Sequence, residues 1–199
     1  MIEAAELTEL IDFEQYDRNM ALGLGGRRLL LKAIGMKPFQ KKRVLDATAG
    51  LARDAFFMAK FGASVTLVER SLPLAKVLGE ALLSSEVKGC KNMVLLQGDA
   101  VNLIPTLPAF DVIYLDPMFA DKPKKAKVKK DLQVLQRLHH DEIDNAEDLL
   151  RIACLHAKER VVVKRSLHQV ALTGPVPNWS LKGKTIRFDV YSTHARSML

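Results

Sequence analysis

With 199 residues and 48% hydrophobic content, the chain is long enough to bury one good core, so one domain with a short appendage is the expected organisation. A net charge of +7 and a pI near 9.4 favour a polyanionic partner. The two cysteines, Cys90 and Cys154, are far apart and lack CxxC or histidine at ligand spacing, which argues against a disulfide framework or structural zinc and for a reduced, cytosolic protein. No apolar stretch approaches the roughly 20 residues of a membrane span, and the Met1-Ile-Glu-Ala-Ala-Glu6 start is acidic where a signal peptide is basic.

The first 40 residues carry Gly23-Leu-Gly-Gly26, a basic helix start at Arg27-Arg28 and a break at Lys37-Pro38, and read as a helical preface to a domain spanning 41–199. From 43 to 165, short β-branched runs alternate with helical patterns. The runs are Val44-Leu45 leading into Asp46, Ser64 to Glu69, Met93 to Gln97, Phe110 to Leu115, and Arg160 to Lys164. Helix-like segments lie at 52–61, 72–85 and 145–158. Strands separated by helices predict parallel βαβ units with both sheet faces covered, an α/β Rossmann-like layer architecture. After the loop Gly174-Pro-Val-Pro177, Ser180 to Tyr191 predicts a hairpin turning near Lys182-Gly183, which adds an antiparallel edge.

In such a sheet, ligands sit beyond the carboxyl ends of the strands, and three successive runs carry acidic residues there. Asp46-Ala-Thr-Ala-Gly50 joins strand to helix through small residues, with Gly50 able to take positive φ. The loop lacks the P-loop GK[ST] and the full G-x-G-x-x-G, and Asp46 repels a pyrophosphate, so a cationic amine such as the methionine portion of S-adenosylmethionine suits it better. The plainer alternative is a strand-terminating glycine. Glu69, twenty-three residues after Asp46, is placed to accept hydrogen bonds from ribose hydroxyls, unless it is a solvated strand-end glutamate. Asp99, in Gln97-Gly98-Asp99-Ala100, is the counterpart for an adenine amino group, with helix capping as its alternative.

Asp116-Pro117-Met118-Phe119 closes the fourth run with a carboxylate, a rigid turn and an aromatic. An exocyclic purine amine is a poor nucleophile because its lone pair is delocalised into the ring. Hydrogen bonds to the Asp116 carboxylate and the Pro117 carbonyl pull its N–H groups aside and aim that lone pair at a methyl donor. Proline limits the turn's freedom, and Phe119 offers a face for a splayed base. An ordinary Asp-Pro strand-to-loop turn is the alternative. Residues 121–131 carry six lysines against two aspartates, and Lys124, Lys125, Lys127, Lys129 and Lys130 are placed to hold phosphates. Lys164 and Arg165, with Lys182, Lys184 and Arg187 in the hairpin, extend that basic surface. A solvated loop is the alternative here too. The histidines, including His139-His140, show no metal spacing, so no metal is expected.

Asp46-Ala-Thr-Ala-Gly-Leu-Ala-Arg-Asp-Ala-Phe56, Leu115-Asp-Pro-Met-Phe119, Val128-Lys-Lys130, Lys158-Glu-Arg-Val-Val-Val-Lys-Arg165 and the Lys182-Gly183, Arg187-Phe-Asp189 and Tyr191 pattern resemble the bacterial ribosomal RNA small subunit methyltransferase J family. The resemblance runs from about Asp12 to Tyr191, and Met118, where most amino-methylating enzymes have a second proline, is its specific mark. It implies a seven-stranded class I S-adenosylmethionine-dependent sheet, and methyl transfer to N2 of a guanosine in 16S ribosomal RNA. Carried over by position, it implies cofactor contacts at Arg53, Asp54, Glu69, Arg70, Asp99, Ala100 and Asp116. The chain departs from the family at Ala52, where glycine is usual, which predicts a slightly less permissive loop, and at Asp99-Ala100, a variable pair. It also begins closer to the core than family members, which usually carry a further N-terminal segment.

The reading that follows is a cytoplasmic guanine-N2 methyltransferase acting on 16S ribosomal RNA or the small ribosomal subunit. Two alternatives remain open at the level of sequence. One is another amino-group methyltransferase, for adenine N6 or a protein glutamine; the other is a noncatalytic RNA-binding protein on the same sheet.

Overall fold

The computed structural model describes residues 7–21, 24–37, 40–117 and 146–193. Among the described residues, α1 (Phe13–Arg18) and α2 (Leu24–Ala33) precede the first strand. Then follow β1 (Arg43–Asp46), α3 (Arg53–Lys60), β2 (Ser64–Glu69), α4 (Leu72–Ser84), β3 (Met93–Gln97), the short α5 (Ala100–Leu103), β4 (Val112–Leu115), α6 (Ala146–His156), β5 (Arg160–Ser166), β6 (Trp179–Lys182) and β7 (Ile186–Ser192). The five expected runs are strands, and the three helical patterns are α3, α4 and α6. The fourth strand is shorter than its apolar run, because Asp111 turns the chain: its carboxylate accepts from the Arg43 N–H at 2.8 Å, and its own N–H donates to the Arg43 carbonyl.

The strands form one seven-stranded sheet in the order β3-β2-β1-β4-β5-β7-β6. The pairs among β1 to β5 are parallel; β7 lies antiparallel between β5 and β6. The hairpin was expected to add an edge, and β6 is that edge. Its turn closes where Gly183 N–H donates to the Ile186 carbonyl at 2.8 Å. The chain winds outward from β1 through β2 to β3, then returns to the other side of β1 as β4. Adjacent loops therefore depart in opposite directions after β1 and β4, which opens a crevice at the carboxyl ends of those two strands.

Alternate residues of each strand enter two separate cores. Val44, Val65, Leu67, Val112, Tyr114 and Val162 face α2 and α3 with their neighbours, whereas Leu45, Val68, Ile113, Leu115, Val161 and Val163 face α5 and α6. Burial on both faces explains why the runs are continuously apolar. α6 buries Ala146, Leu149, Leu150, Ala153 and Cys154, one helical stripe, and carries Glu147 and Asp148 in its first turn, where acids favour the helix dipole. α1 is capped by Asp12, whose Oδ1 accepts from the Gln15 N–H at 2.7 Å. Phe13 and Tyr16 of α1 pack on Phe56 of α3 with ring centroids 5.4 and 6.1 Å away, so the preface shares the first core.

Candidate active site

The loop after β1 is shaped by backbone more than by side chains. Gly50 and Ala52 both take positive φ, at 52° and 56°. Ala49 N–H donates to the Val68 carbonyl at 3.0 Å and Gly50 N–H to Glu69 Oε2 at 2.9 Å, tying the loop to β2. A Cβ placed on Gly50 meets nothing nearer than the Thr48 carbonyl at 3.9 Å, so the space above it is open. Ala52, where a glycine was the family's habit, adopts the left-handed region nonetheless and begins α3 from it. Its neighbours enforce this: Ala52 N–H donates to the Ala49 carbonyl and its own carbonyl accepts from Phe56 N–H, each at 2.8 Å. Tyr16 OH donates to the Leu10 carbonyl at 2.7 Å and reaches the Leu51 carbonyl at 3.3 Å, which fastens the preface to the loop.

Four ionisable side chains, Asp46, Asp54, Asp116 and Lys164, converge on the crevice. In the sheet register Leu115 stands beside Val163, so the next residues, Asp116 just past the end of β4 and Lys164 within β5, lie side by side. Lys164 Nζ donates to Asp116 Oδ2 at 2.9 Å and to Asp54 Oδ2 at 2.7 Å. Tyr114 OH donates to the same Asp54 oxygen at 2.6 Å. Asp116 N–H donates to Thr48 Oγ1 at 2.7 Å, and Thr48 N–H to Asp46 Oδ1 at 3.1 Å, linking the ends of β4 and β1. Pro117 is buried against the strand end.

These contacts give the three aspartates different characters. Burial pushes Asp46 up to about 8; the Thr48 N–H works against this, and the charges of Asp54 and Asp116 reinforce it. Burial also opposes the charge on Asp54, but the Lys164 ammonium and the hydrogen bonds from Lys164 and Tyr114 outweigh it and hold Asp54 below the usual carboxylate range. Asp116 is raised by burial and by Asp54, against the pull of Lys164. With 40% of its side chain open to solvent and an ammonium at 2.9 Å, its charged form is favoured by both the solvent and Lys164. Burial disfavours the Lys164 charge, yet the two carboxylates overcome that and raise it, while burial and the nearby acids keep the Tyr114 hydroxyl protonated as a donor.

The expected residues divide clearly. Asp46, Gly50, Asp54 and Asp116 meet at the crevice, and Glu69 borders it. Glu69 is 3% exposed, and its two oxygens accept from Gly50 N–H and from Ser71 N–H at 2.8 Å. It is therefore a brace for the loop. Asp99 caps α5, its Oδ1 accepting from the Val101 N–H at 2.8 Å, as its alternative reading supposed; Ala100 is buried as the first helical residue. Arg53 is exposed, its guanidinium 5.5 Å from the Tyr16 ring centre, and Arg70 is half-buried beside Gln97, whose side chain donates to its carbonyl at 3.3 Å.

Three basic residues are not where the surface reading put them. Lys164 points into the acid cluster, because it shares the face of β5 that Val162 occupies. Arg165, on the opposite face, is 7% exposed and donates to the Val170 carbonyl. Arg187 is 8% exposed, forks onto Asp189 at 2.8 and 3.0 Å and donates to the carbonyls of Ser166 and Leu167, so it holds the loop after β5. Lys182 and Lys184 are exposed at the hairpin turn, as expected. Met118, Phe119 and the lysines at 124, 125, 127, 129 and 130 lie outside the described residues, as does His139-His140. Thr48 and Tyr114 were missed. A hydroxyl in an otherwise apolar strand, two residues before an acid, was the available signal for Tyr114.

Among the described residues no group of three or more metal-ligating side chains gathers, and no helix is long and apolar enough to cross a membrane. The open backbone over Gly50, the buried acid at the end of β1 and the braced acid at the end of β2 fit a cofactor with a cationic amine and a ribose. Sheet order, antiparallel β7 and a crevice between β1 and β4 together define a class I S-adenosylmethionine-dependent methyltransferase. The profile of a family described as "Putative SAM-dependent methyltransferase" matches residues 6–193. Ribosomal RNA small subunit methyltransferase J of Coxiella burnetii is 42% identical over 172 residues, covering 84% of this chain and 67% of that protein. The Nitrosococcus oceani protein of the same name is 41% identical over 180 residues, covering 86% and 70%. A crystal structure of a SAM-dependent methyltransferase from Neisseria gonorrhoeae superposes with a TM-score of 0.70 at 31% identity, covering 90% of this chain and 72% of that one. The chain belongs to the ribosomal RNA small subunit methyltransferase J family.

Proposed function

We propose that the protein methylates the exocyclic N2 of a guanosine in 16S ribosomal RNA, using S-adenosylmethionine. The observation that carries this reading is the meeting of Asp116-Pro117, at the end of β4, with the open glycine loop at the end of β1. Asp46 and the loop around Gly50 hold the methionine portion, Glu69 accepts from the ribose, and Asp99-Ala100 borders the adenine. Arg53, Asp54 and Arg70 complete the surround, Asp54 through its contacts to Tyr114 and Lys164.

The bound cofactor supplies a methyl group already activated by its sulfonium, so the protein's task is orientation more than proton abstraction. The Asp116 carboxylate and the Pro117 carbonyl accept from the acceptor amine and present its lone pair. Phe119 stacks the base, and the lysines of 121–131 grip the phosphates, which makes affinity salt-sensitive. The relatives' names carry the choice of ribosomal RNA, and their family's habit carries N2 of guanosine.

The test compares methylated nucleosides in 16S ribosomal RNA from cells with and without the gene. Loss of one N2-methylguanosine on deletion, restored by the purified protein on small subunits from the deleted strain, is the expected result. Unchanged ribosomal RNA, or a label appearing on adenine or on protein, would overturn it.

A further inference from the structure

Lys164 is the residue that the crevice uses in a way no motif announces. Three carboxylates crowd the ends of β1, β4 and the start of α3, and Lys164 is the cation that bridges two of them, with Nζ 2.7 Å from Asp54 and 2.9 Å from Asp116. Its side chain is only 25% exposed, so solvent screens these contacts incompletely. Both bonds use an Oδ2 oxygen. Among the described residues, Asp116 Oδ1 carries no hydrogen bond, and Asp116 is held from behind by the Thr48 hydroxyl.

Resting on the amine-orienting reading of Asp116, we infer that Lys164 is a positioning residue: by occupying Asp116 Oδ2 it keeps that carboxylate ionised beside Asp54 and leaves Oδ1 as the acceptor offered to the substrate amine. A proton on Asp116 Oδ1 would set a donor against a donor, and the amine would lose its alignment. Other groups act on the same site. Asp54 from α3 repels a further negative charge on Asp116, Asp46 from β1 is held neutral by burial, Tyr114 from β4 satisfies Asp54, and Arg27 of α2 acts on Asp54 from farther away. Without the ammonium, two adjacent carboxylates share one site, and one of them then retains its proton to higher pH. Lysine suits the place because a compact ammonium with three donors serves two carboxylates at once.

The experiment follows the Asp116 carboxyl resonance by 13C NMR in the cofactor-free full-length protein, assigned with Asp116→Asn, alongside pH profiles of kcat and KM for RNA. Lys164→Met is expected to move the Asp116 midpoint upward by about one unit or more, each unit costing roughly tenfold in ionised carboxylate below it. kcat at neutral pH falls accordingly and recovers towards pH 9, while KM for RNA stays within about twofold, since no phosphate contact is lost. Lys164→Arg preserves the midpoint and most of kcat. Asp54→Asn combined with Lys164→Met, which removes one acid with the base, returns the midpoint towards the wild-type value and guards against a folding defect in the single variant. An unmoved midpoint in the folded single and double variants, or a loss of kcat equal at every pH, overturns the inference. If the wild-type protein methylates no ribosomal RNA, the functional reading fails, and the carboxyl titration still decides the part assigned to Lys164.

Discussion

At the scale of single residues, two of the crevice aspartates, Asp116 and Asp46, make opposed predictions. On the proposed mechanism Asp116 orients the amine, so Asp116→Ala is expected to lower kcat by about a hundredfold or more, the usual cost of a misplaced reacting group, with RNA affinity nearly intact. Single-turnover methylation beside RNA binding measures both; equal losses in the two would contradict the role. Asp46 is different because burial pushes it up to about 8 from 3.8. Between those values the folded protein keeps a proton that the unfolded chain has released. The stabilisation from this group is therefore complete below about pH 3.8 and is lost as pH rises to 8. Asp46→Asn, which imitates the neutral acid, is expected to gain about 2 kcal/mol at pH 8.5, raising Tm by roughly 4–8 °C, and to be near neutral at pH 4. Calorimetry of the same variant should show weakened S-adenosylmethionine binding. A Tm change independent of pH would remove Asp46 from this account.

Elements were more legible than side-chain directions. Strand ends could be read because acids terminate apolar runs, and α6 because its apolar residues recur at helical spacing. What the linear pattern lacked was sheet register. Lys164 and Arg165 look alike in sequence, yet one enters the catalytic crevice and the other the far side of the sheet, since successive strand residues face opposite ways. Tyr114 and Thr48 were obscured for the same reason, because their partners lie 60 and 68 residues away. Ala52 is a local case. A left-handed conformation costs a non-glycine residue about 1–2 kcal/mol, but the buried methyl is worth about 0.8 kcal/mol and glycine adds freedom to the unfolded chain. These nearly cancel, so Ala52→Gly should change stability by less than about 1 kcal/mol. Ala52→Val has no such offset: a branched side chain at positive φ is expected to cost about 2 kcal/mol or more, lowering Tm by roughly 4–8 °C. Thermal melts decide this, and a valine variant as stable as the wild type would show that the loop can abandon its conformation.

For the whole molecule, the question is how a chain with net charge +7 concentrates its attraction for a polyanion. Burial of Arg165 and Arg187, and enclosure of Lys164 by two acids, withdraw three cations from the surface that the sequence pattern offered. Lys182 and Lys184 remain exposed at the turn between β6 and β7, at the end of the sheet where β5 leaves its carboxyl end. The lysines following Asp116-Pro117 in sequence are then the densest basic run available to RNA. Each phosphate neutralised releases condensed counterion, giving a slope of about −0.7 per contact for single strands in a plot of log affinity against log salt. Replacing Lys124, Lys125, Lys127, Lys129 and Lys130 by glutamine should flatten that slope by up to roughly 3.5 and weaken binding at low salt. Cofactor affinity should be unchanged, since none of these lysines is among the cofactor contacts proposed at the ends of β1 and β2. Filter binding of a 16S ribosomal RNA fragment across a salt series measures the slope, and calorimetry the cofactor. A retained slope with weaker cofactor binding would assign these lysines to the architecture of the crevice and return the RNA contact to Lys182, Lys184 and their neighbours.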